Sequence, residues 1–176
     1  MKFKLFVLSL LSISMSEVYD GYTLYTPGGG FGGGFATTYL KDSNWETINS
    51  WTHNCGPASM PYLVLTDQPG IENSLLYYPC QNNNPIMETG GTGGQVNIYN
   101  WDGDLLWNFV VSGTIDGATS NNEMQHHHDI EPLPNGNILI LGWELKTAEE
   151  AIQKGRNPLL LEDNELWPEH IVEVEP

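Results

Sequence analysis

Three histidines in a row, closed by a carboxylate, form the densest chemistry in this chain: Gln125-His126-His127-His128-Asp129. Histidine's unperturbed pKa lies nearest neutrality, so an imidazole serves as nucleophile, general base or general acid with little tuning. In an extended strand, neighbouring side chains face opposite ways. His126 and His128 then share one face, and His127 shares the other with Asp129. A carboxylate beside an imidazole fixes its tautomer and supports the imidazolium. The same run also reads as a weak metal-binding tract or as solvated loop histidines. Two further residues stand out by type and place. His53 sits in Trp51-Thr52-His53, just before a strand pair, as His128 does. Arg156 is the only arginine; its competing role is to pair with one of the many carboxylates.

Strands must position these residues. The segment 37–51 reads as strand, turn at Asp42-Ser43-Asn44, and strand. The segment 95–109 repeats the pattern around Trp101-Asp102-Gly103-Asp104, and Asp-Gly between alternating apolar residues is a strong hairpin signal. Trp51 and Trp107 hold equivalent places 56 residues apart. Each hairpin leads into another. One turns near Asp67-Gln68-Pro69-Gly70, the other at Pro134-Asn135-Gly136. Paired hairpins at this period predict an all-β fold of about two four-stranded β-propeller blades, over 35–80 and 94–143. A helical insertion over 144–168 comes next, with one short helix near 147–155. Thr147 and Glu150 fit a capping box there, and Gly155 a left-handed cap. The alternating stretch 169–176 reads as the start of a third unit, so 17–176 is expected to be a partial propeller and a piece of a longer protein. The Gly/Pro-rich run 27–34 precedes a strand instead of a helix, so it reads as a turn and not a phosphate loop.

Charge and composition narrow the partners. Residues 1–16 carry Lys2 and Lys4, then an apolar run over 5–13, then Ser14-Met15-Ser16, and read as a cleaved export signal. Losing both lysines takes the formal charge from −16 to −18. Such a chain repels phosphate backbones and anionic lipid, so nucleic acid and a membrane surface are not expected partners. No stretch approaches the roughly 20 apolar residues of a membrane anchor. A 40% hydrophobic and 11% aromatic content suffices for a core. Cys55 and Cys80, the only cysteines, fit one disulfide of a secreted or periplasmic protein. That cross-link would contribute roughly 3 kcal/mol by restricting the unfolded chain.

The stretch His127-His128-Asp129-Ile130-Glu131-Pro132-Leu133-Pro134-Asn135-Gly136-Asn137-Ile138-Leu139-Ile140-Leu141 resembles the histidine-bearing blade motif of the secreted bacterial aryl-sulfate sulfotransferase family. Trp143-Glu144, Glu149-Glu150-Ala151-Ile152, Gly155-Arg156-Asn157-Pro158 and Glu165-Leu166-Trp167-Pro168-Glu169-His170-Ile171 are similar to the segment after that motif in bacterial family members. The resemblance covers residues 90–176 well and 20–60 loosely. It implies a six-bladed propeller that moves a sulfuryl group from an aryl sulfate to a phenol through a sulfated histidine. No cofactor and no metal are implied, and a homodimer of the full-length form stays an expectation. Residue by residue it makes His128, with Asp129, the channel histidine, and His127 the second choice. His53 and Arg156 become candidate substrate ligands. The sulfated histidine belongs to a later blade, so that role falls on no residue of this chain. A non-catalytic secreted propeller that binds carbohydrate or protein is the alternative. It would use the same Trp-Asp-Gly turns without a histidine channel.

Protein recovered from its natural host is expected to start near Glu17. Mass spectrometry that finds Met1 intact in a cytoplasmic fraction would overturn the export reading.

Overall fold

The computed structural model describes residues 19–28, 34–115 and 123–176; the expected export signal and residues 29–33 of the Gly/Pro-rich run lie outside them. The fold is all-β, built from consecutive antiparallel meanders. A first sheet joins β1 (Thr23–Tyr25), β2 (Ala36–Lys41) and β3 (Thr47–His53) in that order. The central sheet runs β4 (Tyr62–Val64), β5 (Leu75–Gln81), β6 (Gly94–Tyr99) and β7 (Leu105–Val110). The last sheet holds β8 (Ser112–Thr114), β9 (Glu123–Pro132), β10 (Ile138–Glu144) and, after an insertion, β13 (Glu169–Val174). The insertion is a two-stranded hairpin, β11 (Lys146–Thr147) with β12 (Glu165–Leu166), around the helix α1 (Ala148–Gln153). Among the described residues no helix is long and apolar enough to cross a membrane.

The turns form as their residues demand. Gly103 (φ 88°) and Gly136 (φ 92°) take left-handed conformations that cost other residues more. Asp42 Oδ1 accepts the amide protons of Asn44 and Glu46 and so closes the β2–β3 turn. At α1, Thr147 Oγ1 accepts from the Glu150 amide while the Glu150 side chain accepts from the Thr147 amide, the reciprocal cap its sequence predicts.

Sheet grouping differs from the expectation. The hairpin β4–β5 does not complete a unit with β2–β3. It pairs with β6–β7 across the Cys80↔Gln95 register, so the expected units 35–80 and 94–143 are each cut through by sheet boundaries. Likewise β13 pairs with β10, from Trp143↔Glu169 to Ile138↔Val174, and completes the last sheet where a third unit was expected to begin. Hairpin signals are local; the β5–β6 pairing spans a loop and carries no turn signature.

Burial explains the stacking. Every residue of β5 from Leu76 to Cys80 is buried, whereas β7 and β13 alternate and show one face to solvent. Leu76, Tyr78, Cys80 and Tyr99 point toward Leu40 and Trp51 of the first sheet. Tyr77, Val96 and Ile98 point the other way, toward Met124, Ile130, Ile138 and Ile140 of the last. Each such apolar side chain contributes about 1.5–3 kcal/mol on burial. Polar ties fix the first layer: Trp51 Nε1 donates to the Asn100 carbonyl at 2.8 Å, and Asn49 Nδ2 to that of Trp101 at 2.7 Å. Cys55 and Cys80 form the expected disulfide, with Cα atoms 5.8 Å apart, clipping the β3–β4 connection to the central sheet.

Reduction of Cys55–Cys80 is expected to lower unfolding stability by roughly 3 kcal/mol. Denaturant melts with and without reductant measure it; coincident curves would mean the clip restrains nothing.

Candidate functional site

Strand β9 carries the histidine run, and one irregularity decides where each ring goes. His126 pairs with Gly142 and Ile130 with Ile140, so three residues of β9 face the single Leu141 of β10. This bulge puts His128 at φ 54°, in the left-handed region. The loop 89–93 runs alongside the histidines on their free side. Gly91 accepts the His128 amide at 2.8 Å, Thr92 bridges His127, and the Gly93 amide donates to the His126 carbonyl at 3.0 Å. The His126 and His128 rings lie across Gly93 and Gly91, where any Cβ would collide with them. Glycine at 91 and 93 is therefore a requirement of the two imidazoles.

His127 points to the opposite face, as strand alternation predicts, and finds a carboxylate that the sequence did not disclose. Its Nε2 lies 2.8 Å from Glu169 Oε2, and its ring stacks on Trp143 with centroids 3.7 Å apart. Its Nδ1 lies 2.9 Å from His128 Nδ1. Burial lowers the His127 pKa and outweighs the opposing pull of Glu169, so the ring is neutral at neutral pH. The contact with Glu169 is then a hydrogen bond donated by Nε2–H, not an ion pair. Nδ1 of His127 must be the acceptor, which makes Nδ1 of His128 the donor. His128 is an exposed residue whose ring rests beside Gly91. The side chains form a chain from carboxylate through a buried imidazole to a surface imidazole.

Asp129, expected to orient a histidine, does something else. Its Oδ1 accepts from Ser59 Oγ at 3.0 Å and from Tyr62 Oη at 2.9 Å, tying the β4 region to β9. Partial burial, with Asp129 accepting from its hydroxyl, pushes Tyr62 up to about 12. Glu169 takes the orienting role because the bulge turns Asp129 away while Trp143↔Glu169 pairing brings Glu169 beside His127. Glu169, Trp143, Tyr62 and Ser59 were not legible as site residues; Glu169 reads as part of a solvated acidic tail.

The other two candidates go elsewhere. His53 ends β3 with 1% exposure, stacked on Tyr78 at 3.6 Å, its Nε2 within 2.8 Å of Thr38 Oγ1. It lies between the first and central sheets and reaches no substrate surface, because β3 alternation turns it inward with Trp51. Arg156 lines a separate cavity beside α1, with no residue in common with the histidine cluster. Among the described residues no group of three or more His, Cys, Asp or Glu has the arrangement to hold a metal ion. Comparison with known protein families, curated proteins and solved structures finds no match to this chain.

Two imidazoles are buried without a second partner. His126 Nδ1 accepts from the Gly94 amide at 3.1 Å, and its buried Nε2 has no hydrogen-bond partner among the described residues; His53 Nδ1 is in the same position. Burial lowers both pKa values from 6.5 to about 4. Both rings are neutral when folded, and the unfolded chain takes up their protons first. Their contribution is thus fully present above pH 6.5 and is lost as pH falls toward 4, about 3 kcal/mol for each group. Urea melts at intervals across this window are expected to show that loss. His53→Phe, which keeps the stack on Tyr78, is expected to flatten it; an unchanged slope would contradict the assignment.

Proposed function

We propose that this chain contributes part of a histidine site for sulfuryl transfer from an aryl sulfate to a phenol, on a secreted propeller-type scaffold. Support for the scaffold comes from three consecutive meanders packed face to face, with β5 and β6 of the central sheet covered on both sides. The observation that carries the chemistry is the Glu169–His127–His128 chain, which runs from a carboxylate through a buried imidazole to the exposed residue His128. In this reading His128 contacts the sulfuryl group and moves the phenolic proton. As the acceptor phenol attacks sulfur, its O–H bond breaks and the proton passes to His128 Nε2. In the donor half-reaction, protonated His128 returns that proton to the departing phenolate oxygen. Glu169 stabilises the positive charge that the imidazole pair gains at this stage. Imidazolium is also the positive charge available to the sulfuryl oxygens, because Arg156 lies at a different cavity. The nucleophile that carries the sulfuryl group between the two half-reactions is assigned to no residue of this chain.

Nitrophenol release from para-nitrophenyl sulfate, with phenol as acceptor, by a protein that joins this chain to the later blades the reading calls for, is the test. His128→Ala is expected to lower the rate by on the order of 10² to 10³, with little change in the thermal melt. Glu169→Gln keeps a hydrogen-bond acceptor but removes the charge; a smaller loss of rate is expected at unchanged stability. His127→Ala is expected to cost both rate and stability, because it removes the relay and the stack on Trp143. No phenol-dependent turnover, or full activity in His128→Ala, would overturn the reading.

One observation favours a second reading, a non-catalytic module that binds carbohydrate. On the outer side of the first sheet Tyr25 stacks with Tyr39 at 5.7 Å and with the exposed Trp45 at 5.8 Å, a flat aromatic surface of the kind that takes sugar rings. Quenching or enhancement of tryptophan fluorescence by neutral oligosaccharides, lost in Trp45→Ala and without any sulfate turnover, would favour it.

A further inference from the structure

Positive charge is scarce in this chain, and its placement is uneven. Four of the six lysines and arginines fall within the described residues: Lys41, Lys146, Lys154 and Arg156. Three of these four, all but Lys41, line one cavity of about 560 Å³ between α1 and the β11–β12 hairpin. That volume falls within the range of small-molecule sites. In a chain of formal charge −16, three cations that repel one another need a reason to converge.

Local pairing accounts for part of the charge. Lys146 Nζ lies 2.9 Å from Glu144 Oε1, and Glu144 also meets His170 Nδ1 at 3.2 Å. Glu150 lines the cavity too, with its carboxylate engaged by the Thr147 amide and hydroxyl at the start of α1. Three cations against Glu144 and Glu150 leave one unit of positive charge. Arg156 donates one Nη2–H to the Leu160 carbonyl at 2.9 Å, which holds its fork in place and leaves other N–H donors. Lys154, the cap just past the end of α1, is exposed and is one of the residues that line the cavity. The remaining wall is made by Gln153, Gly155 and the apolar Ala151, Leu166 and Pro168.

We infer that this cavity binds an organic monoanion: an apolar or aromatic body against Ala151, Leu166 and Pro168, with a single sulfate, sulfonate or carboxylate head between Lys154 and Arg156. The residual charge matches one negative unit, and the wall desolvates a hydrocarbon body where a hydrated inorganic ion gains nothing. The site is separate from His128 and does not rest on sulfuryl transfer.

Toluenesulfonate tests this without chemistry, because it carries an aryl body and one charge but no transferable sulfuryl group. Calorimetric titration of the full chain is expected to show saturable binding, with inorganic sulfate at least about tenfold weaker. Lys154→Ala touches no core contact and is expected to weaken binding about tenfold at an unchanged thermal melt. His128→Ala is expected to leave it unchanged. Equal affinity for inorganic sulfate would overturn the amphiphilic assignment. Loss of binding in His128→Ala, or none in Lys154→Ala, would place the anion elsewhere and overturn the site. Failure of sulfate transfer with toluenesulfonate binding intact would sink only the functional reading above.

Discussion

Everything in this fold depends on β5 and β6 of the central sheet having no face left for solvent. Strand β5 is buried residue after residue, so alternate side chains must be covered by different partners. Leu76, Tyr78 and Cys80 require the first sheet; Tyr77 with Val96 and Ile98 requires the last. Neither outer sheet needs to be long, because each only has to cover one side of β5 and β6. The Cys55–Cys80 clip and the Trp51–Asn100 bond act on the same layer and hold the shorter first sheet in place. The histidine run belongs to the other layer. Its position is set by Val111, whose amide donates to the Gly94 carbonyl and whose own carbonyl accepts the His126 amide, both at 2.8 Å.

Much of the local structure was legible from residue order. Asp-Gly at 102–103, Asn-Gly at 135–136 and the Thr147/Glu150 cap act over a few residues, and each forms where its chemistry places it. Two cysteines leave one pairing, and it is made. What could not be read was which hairpin joins which sheet. Nothing near residues 82–93 announces that β5 pairs with β6, since that pairing is decided by burying Tyr77 and Val96 together. The same holds for the site. Alternation placed His127 opposite His126, but the bulge brings its Nδ1 to that of His128, and its carboxylate partner is Glu169, 42 residues away and on a strand that pairs only after an insertion. Asp129, adjacent in sequence, looked like the better partner until the bulge turned it toward Ser59 and Tyr62.

His53 shows how position on a strand outweighs residue type. It sits before a hairpin as His128 does, yet it ends a strand whose inner side already holds Trp51, and so its ring fills the layer against Tyr78. An imidazole there behaves as a flat core side chain with one hydrogen bond to Thr38. His126 is similar, closed over by Gly93. Of the three histidines in sequence only one is exposed, and the difference comes from backbone geometry and not from chemistry.

That geometry carries a cost which the structure explains. A non-glycine residue in the left-handed region loses on the order of 1 kcal/mol or more, and His128 has φ 54°. A regular strand would avoid the cost, but it would pair residues one to one across 127–129 and Leu141. The bulge is held instead by the 2.8 Å bond from the His128 amide to Gly91, itself at φ 86°, and by the ring resting on that glycine. Gly91 takes its positive φ at little cost, so the strain of this strand falls on His128. What the arrangement achieves is contact between the Nδ1 atoms of adjacent histidines, which regular alternation would send to opposite faces. Strain is therefore concentrated where a buried, carboxylate-bound imidazole meets an exposed one. It is this meeting, and not the count of histidines, that sets β9 apart from the other strands.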